Sequence, residues 1–256
     1  MMKTITKLTV ISLFTMYLVS SCKKGAEEQN NTSSPPSNTV SSHTVKPIAI
    51  ELSQLYCKDL QPGDIMLKCV DETNSFNKKI KWTQKIAKYN NYRIIHAGIM
   101  KNSEIIIEAA GTGLSERSIL EKNAHVGYIV YRANNAEMAK GVAATAELFH
   151  AIHMQHNSIQ YNKKGLFPSV IFKSGKPKSP EEMDKVYEKI IAGKNNPMFC
   201  SQFVVYVYQW VSTQMGIPAK EIFNINDKRV PPAKLAEILQ GNKSFTEVGY
   251  LIGNEH

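Results

Sequence analysis

The chain has 256 residues, of which 43% are hydrophobic and 21% charged, a balance that excludes a mostly disordered polymer and leaves room for one or two domains. Fourteen glycines and eleven prolines exclude collagen-like or low-complexity character, and four cysteines are too few for a disulfide-stapled scaffold. Lysine and arginine outnumber the acids by 31 to 22, giving a formal charge of +9 that favours anionic partners.

The first 22 residues, MMKTITKLTVISLFTMYLVSSC, place Lys3 and Lys7 ahead of an apolar run at 8–20. That run is too short to cross a bilayer as a helix, which takes about 20 residues, and suits the core of a signal peptide. Its end, Val19-Ser20-Ser21-Cys22, resembles the lipobox of bacterial lipoproteins, and the resemblance implies acylation of Cys22. The alternative is an ordinary secretory signal with an incidental Cys22. Residues 23–50 are rich in Ser, Asn, Thr and Pro and are expected to form a flexible linker. Lys23 and Glu27-Glu28 resemble sorting signals that follow lipobox cysteines, without deciding the leaflet. The expectation is an exported, lipid-anchored protein of the cell envelope, on the periplasmic side or the surface. Removing Lys3 and Lys7 with the leader would leave +7. Lipid head groups or acidic wall polymers then fit the charge, and no nucleic-acid partner is expected.

Folding signals begin near residue 50, so 51–256 are expected to form one domain. The turn Gln61-Pro62-Gly63-Asp64 leads into the alternating strand IMLKCV. Residues 75–90 space Phe76, Ile80, Ile86 or Ala87, and Tyr89 or Asn90 as in a helix. Residues 78–93 are basic through Lys78, Lys79, Lys81, Lys85, Lys88 and Arg93, which reads first as a solvated face. The β-branched runs 93–100 and 104–110 predict a hairpin around Lys101-Asn102-Ser103, and 126–132 predict another strand. A helix is predicted over 136–155 with Met138, Val142, Ala146, Phe149 and Ile152 inward. Residues 160–180, with three prolines and two glycines, read as a loop with short ordered pieces. Helices follow at 181–193 and 198–214, the latter with Phe199, Phe203, Val207, Trp210 and Val211 as a stripe buried on one side. A short helix after Pro231-Pro232 and a last strand FTEVGYLI complete the order. Strands grouped in the middle with helices around them predict an α+β fold.

Cys200 lies at the predicted start of an apolar helix, where unpaired N–H groups and the helix dipole favour a thiolate and can hold an oxyanion. Position alone favours a buried structural cysteine, the usual place of a lone thiol. His96 interrupts an apolar strand, and Glu108 in the next strand is a candidate to orient it. An odd hairpin loop, with paired numbers summing to 206, sets them diagonally on one face; a two-residue loop sets them on opposite faces. Both registers remain open. The only histidine after Cys200 is the terminal His256, so a base for Cys200 must come from upstream.

His150, His153 and His156 recur near a helix end without a completing ligand, and no metal is expected there. Cys57 and Cys69 are read as small core residues in preference to a disulfide. Gly111-Thr112-Gly113 is read as a turn, because it lacks the third glycine of a dinucleotide loop.

Together, Pro62-Gly63-Asp64-Ile65, His96-Ala97-Gly98-Ile99, Glu108-Ala109 and Phe199-Cys200-Ser201-Gln202-Phe203-Val204 resemble the permuted papain-like amidases of the YiiX/NlpC type. Tyr131-Arg132 and Val230-Pro231-Pro232-Ala233-Lys234-Leu235 add to the likeness, which covers residues 55–250. Gln202 stands where that family more usually has Glu. The resemblance implies a circularly permuted papain-like fold, an antiparallel sheet packed against helices, with Cys200 as nucleophile, His96 as base and Glu108 as orienting residue. It also implies Tyr161 and Ser201 beside the substrate. The expected activity is hydrolysis of an amide bond, in a peptidoglycan-type peptide or an N-acyl amide, without cofactor. A thiol acyltransferase or phospholipase, and a non-catalytic binding lipoprotein, are the alternatives.

Overall fold

The computed structural model describes residues 54–70, 75–119, 127–171 and 175–252. The expectations for the leader, Cys22 and the linker lie outside these residues. The strands β1 (Ile65–Cys69), β2 (Ile94–Met100), β3 (Ile105–Ala110), β4 (Gly113–Ser118), β5 (Gly127–Ala133) and β6 (Phe245–Ile252) form one antiparallel sheet. Their spatial order is β4-β3-β2-β1-β5-β6, with β1 and β2 at the centre. Around them stand α1 (Ser75–Ile86), α2 (Ala136–His156), α3 (Lys163–Ile171), α4 (Pro180–Ile191), α5 (Cys200–Gln214), α6 (Ala219–Ile222) and α7 (Pro232–Gln240). The fold is α+β, as the order of sequence patterns predicts.

Alternation along the central strands sorts side chains between two cores. Ile65, Leu67, Ala97, Ile99 and Ile107 join the main core with α2 and α5, while Met66, Met100, Ile106, Tyr128 and Val130 form a smaller cluster on the other face with Leu55 and Leu60. The turn before β1 is held from both ends. Arg132 of β5 forms a two-pronged ion pair with buried Asp64, Nε to Oδ1 at 2.8 Å and Nη2 to Oδ2 at 2.7 Å. Gly63 sits at φ +88, and a Cβ there would lie 2.3 Å from the Ala139 carbonyl oxygen. The Pro-Gly-Asp and Tyr-Arg motifs are therefore partners in a structural joint.

Helix ends follow their capping residues. Asn135 accepts the Met138 N–H at the start of α2, and Ser179 with Glu182 makes a capping box before α4. Helix α5 is different. Phe199 offers no side-chain cap, which leaves first-turn N–H groups for another acceptor.

Several expectations need correction. The 160–180 stretch contains helix α3, begun by Asn162, whose Oδ1 accepts the Gly165 N–H at 2.8 Å; nine residues tolerate Pro168 at the loss of one backbone bond. The Gly111-Thr112-Gly113 turn opens a further strand, β4, which the charged run GLSERS concealed. Helix α5 is buried on every side from Cys200 to Ser212, not along one stripe, because its polar residues find internal partners. Gln209, for example, donates to the carbonyls of Phe223 and Ile225 at 2.7 and 2.8 Å. On α1, Ile86 faces outward at 59% exposure while Gln84 takes the buried position. There Gln84 donates to Ile94 O and accepts from the Ala233 N–H, joining α1 to β2 and α7.

Candidate active site

The register of the β2–β3 hairpin decides whether a site exists. Ile99 pairs with Ile107 and Met100 with Ile106, and the Lys101 N–H donates to Ile105 O, so the loop has an odd length and paired numbers sum to 206. Asn102 caps that loop, its Oδ1 accepting the Glu104 and Ile105 N–H groups. His96 and Glu108 are thereby set diagonally on one face. Pairing between β2 and β3 is confined to those two residue pairs, whereas β3 and β4 stay paired along six. The two strands part beyond Gly98, and the N-terminus of α5 enters the opening.

His96 Nε2 meets Glu108 Oε2 at 2.8 Å. Since a carboxylate only accepts, Nε2 donates, and Nδ1 remains for the neighbouring sulfur of Cys200. Glu108 is 3% exposed, and its other oxygen is paired with Arg117 of β4. Burial acts against ionisation of Glu108, but His96, Arg117 and Lys68 outweigh it and hold its pKa below the ordinary carboxylate value.

Cys200 is fully buried, which by itself penalises a thiolate. The His96 charge and hydrogen bond, together with the backbone N–H groups of Ala97 and Ser201, reverse that penalty and lower its pKa. The Ala97 N–H is available because the β2–β3 ladder has ended, and the Ser201 N–H because α5 has no side-chain cap. Burial likewise opposes protonation of His96, yet Cys200 and Glu108 raise its pKa to about 10. The two shifts reinforce each other, and the arrangement favours a thiolate–imidazolium pair over the neutral thiol and imidazole.

Tyr161 also reaches the sulfur. Its segment pairs with the residues before α5, the Met198 N–H donating to Gln160 O and the Asn162 N–H to Met198 O, both at 3.0 Å. The Tyr161 hydroxyl neighbours Cys200, and burial and that nearby charge push its pKa up. Ser201, expected beside the substrate, is instead turned into the core, where its Oγ donates to Val230 O at 2.6 Å. Its contribution to the site is its backbone N–H.

Arg117 is the participant that sequence reasoning missed. Its strand was itself unrecognised, so nothing marked it as a neighbour of Glu108.

A cavity of about 380 Å³ opens on another side of the α5 N-terminus, lined by Asn162, Ser169, Pro197, Phe199, Gln202 and Arg229. Cys200 and His96 do not line it. Among the described residues no group of three or more His, Cys, Asp or Glu side chains is arranged to hold a metal. His150 pairs with Glu116 at 3.2 Å, and His153 Nδ1 accepts the Ile159 N–H. Cys57 and Cys69 are free thiols.

No protein-family model and no curated protein matches the chain. The functional reading therefore rests on the site itself.

Proposed function

We propose that this chain is a cysteine hydrolase of permuted papain-like order, cleaving an amide bond in a cell-envelope substrate. The observation that carries the reading is the linked series Glu108–His96–Cys200, with the sulfur at a helix start and two backbone N–H groups directed at it. A structural cysteine in an apolar core needs none of these partners.

In this reading the Cys200 thiolate attacks the amide carbonyl, forming a C–S bond and a tetrahedral oxyanion. The Tyr161 hydroxyl and the Ala97 and Ser201 N–H groups, which surround the sulfur, are the donors available to that oxygen. Collapse breaks the C–N bond, and His96 gives its Nδ1 proton to the departing amine. Neutral His96 then takes a proton from water, whose oxygen attacks the thioester. Release of the carboxylic acid restores the thiolate and imidazolium. Glu108 stays ionised throughout, fixing the ring through Nε2. Because Cys200 is buried, the substrate reaches the sulfur through movement of Tyr161, its partly exposed neighbour.

The likeness to permuted NlpC-type amidases supports a peptidoglycan-type peptide or an N-acyl amide as substrate. The lipobox-like run ending at Cys22 supports anchoring in the envelope. Incubation of the full chain with envelope peptides, N-acyl amides and phospholipids, followed by intact mass measurement, tests the proposal. A substrate-derived acyl adduct on Cys200, with turnover lost in Cys200→Ser, is the expected result. Equal turnover by wild type and Cys200→Ser overturns it.

A further inference from the structure

Helix α1 presents a face that catalysis does not use. Trp82 is 63% exposed and Ile86 59%, and the two stand one turn apart. Lys78, Lys79 and Lys85 lie three or four residues from Trp82 on the same side, and residues 75–90 contain no acid. The opposite side of the helix is fully engaged. Ile80 packs with Ile95 and Phe199, and Gln84 bonds to the start of β2. Two large apolar side chains left in water within a lysine frame are not what a solvated helix face requires.

We propose that this face of α1 seats the domain on an anionic lipid surface, with Trp82 and Ile86 entering the headgroup–acyl boundary and the lysines on lipid phosphates. The charge favours phospholipid, since the aliphatic stems of lysines can lie along the boundary while their ammonium groups meet phosphate. The inference does not depend on Cys200 being catalytic. Its position matters nonetheless, because Phe76 at the start of α1 makes an edge contact with Tyr161 at 6.5 Å. A docked α1 brings the surroundings of the sulfur to the lipid interface.

The test follows Trp82 emission in the full chain, taken as the difference between wild type and Trp82→Phe, so that buried Trp210 cancels. Vesicles of phosphatidylcholine alone, and of phosphatidylcholine with equal phosphatidylglycerol, are compared, each also with brominated acyl chains. The expected result is a blue shift and bromine quenching on anionic vesicles only, reversed by high salt. Lys78→Gln/Lys79→Gln/Lys85→Gln weakens partitioning on the order of 100-fold, about fivefold for each lysine. Because the readout is local to Trp82, attachment through residues 1–22 does not imitate it. Unshifted Trp82 emission on vesicles that hold the chain overturns the proposal, as does equal quenching on neutral vesicles. A shift with soluble polyglutamate as large as that with anionic vesicles, without bromine quenching, also overturns it and assigns the face to an acidic polymer.

Discussion

The imidazole of His96 and the carboxylate of Glu108 meet at 2.8 Å across two strands whose ladder has already ended. Continued pairing would use the Ala97 N–H within the sheet. The early separation of β2 and β3 instead lets one histidine hold a carboxylate on one ring nitrogen and a sulfur on the other.

The first prediction concerns the pH dependence of Cys200 alkylation. The thiol pKa lies below its ordinary 9.0 and that of His96 is raised to about 10, so the ion pair prevails between those limits. As pH falls through the lowered thiol pKa the thiolate is protonated and alkylation stops. Cys57 and Cys69, whose pKa values burial raises, stay unreactive in that range. Mass mapping after brief treatment with iodoacetamide should therefore find Cys200 modified first at neutral pH. In His96→Ala the burial penalty is opposed only by the Ala97 and Ser201 N–H groups, and the midpoint should move upward. Coincident curves for the two proteins would separate Cys200 from His96.

Glu108→Gln tests the orienting role. An amide keeps the shape but removes the charge, so the His96 pKa falls from about 10 and the ring is held less firmly. We expect turnover to drop about 10²–10⁴-fold, the span associated with a positioned acid–base group. Arg117→Ala leaves the carboxylate and should cost less than Glu108→Gln. NMR titration of the His96 ring measures the shift directly. An unchanged His96 pKa in Glu108→Gln contradicts the electrostatic assignment.

Tyr161→Phe removes the hydroxyl directed at the sulfur and retains the ring packed against Phe76. Loss of one donor to the thiolate moves the alkylation midpoint upward. Loss of the same donor to a developing oxyanion should lower kcat about 10²–10³-fold, with little change in KM. A higher KM with unchanged kcat would place Tyr161 in substrate binding alone.

Much of this site could be read before the structure because its residues violate local pattern. A histidine inside an apolar strand and a cysteine at a helix start stand out, and with only His256 downstream of Cys200 the partner expected for the thiol lay upstream. The partner of His96 was less legible. Glu108 depends on hairpin register, which a sequence compatible with two- or three-residue loops does not decide until Asn102 is seen capping the longer one. Arg117 was hidden in a polar strand stabilised by pairing rather than by its own apolar content. Ser201 misled for the opposite reason: a small polar residue beside a nucleophile looks functional, yet Val230 O takes its hydroxyl. The outward turn of Ile86 follows from Gln84, whose three backbone partners bury it in place of an apolar side chain.

The joint between Asp64 and Arg132 provides a prediction about stability alone. Asp64 has no exposed surface, and its carboxylate accepts two bonds from Arg132 and one from the Gln61 N–H at 2.8 Å. Arg132→Ala would strand a buried carboxylate, a change that costs about 3–5 kcal/mol when one partner of such a pair is removed. Replacing both residues, Asp64→Asn with Arg132→Met, removes the stranded charge and should recover part of that loss. The joint lies at the turn into β1, and neither residue contacts Cys200, His96 or Glu108. Urea unfolding of Arg132→Ala should therefore show a lowered midpoint, while the pH profile of Cys200 alkylation under native conditions stays that of wild type. A shifted profile would mean that the turn before β1 also sets the geometry of the thiolate.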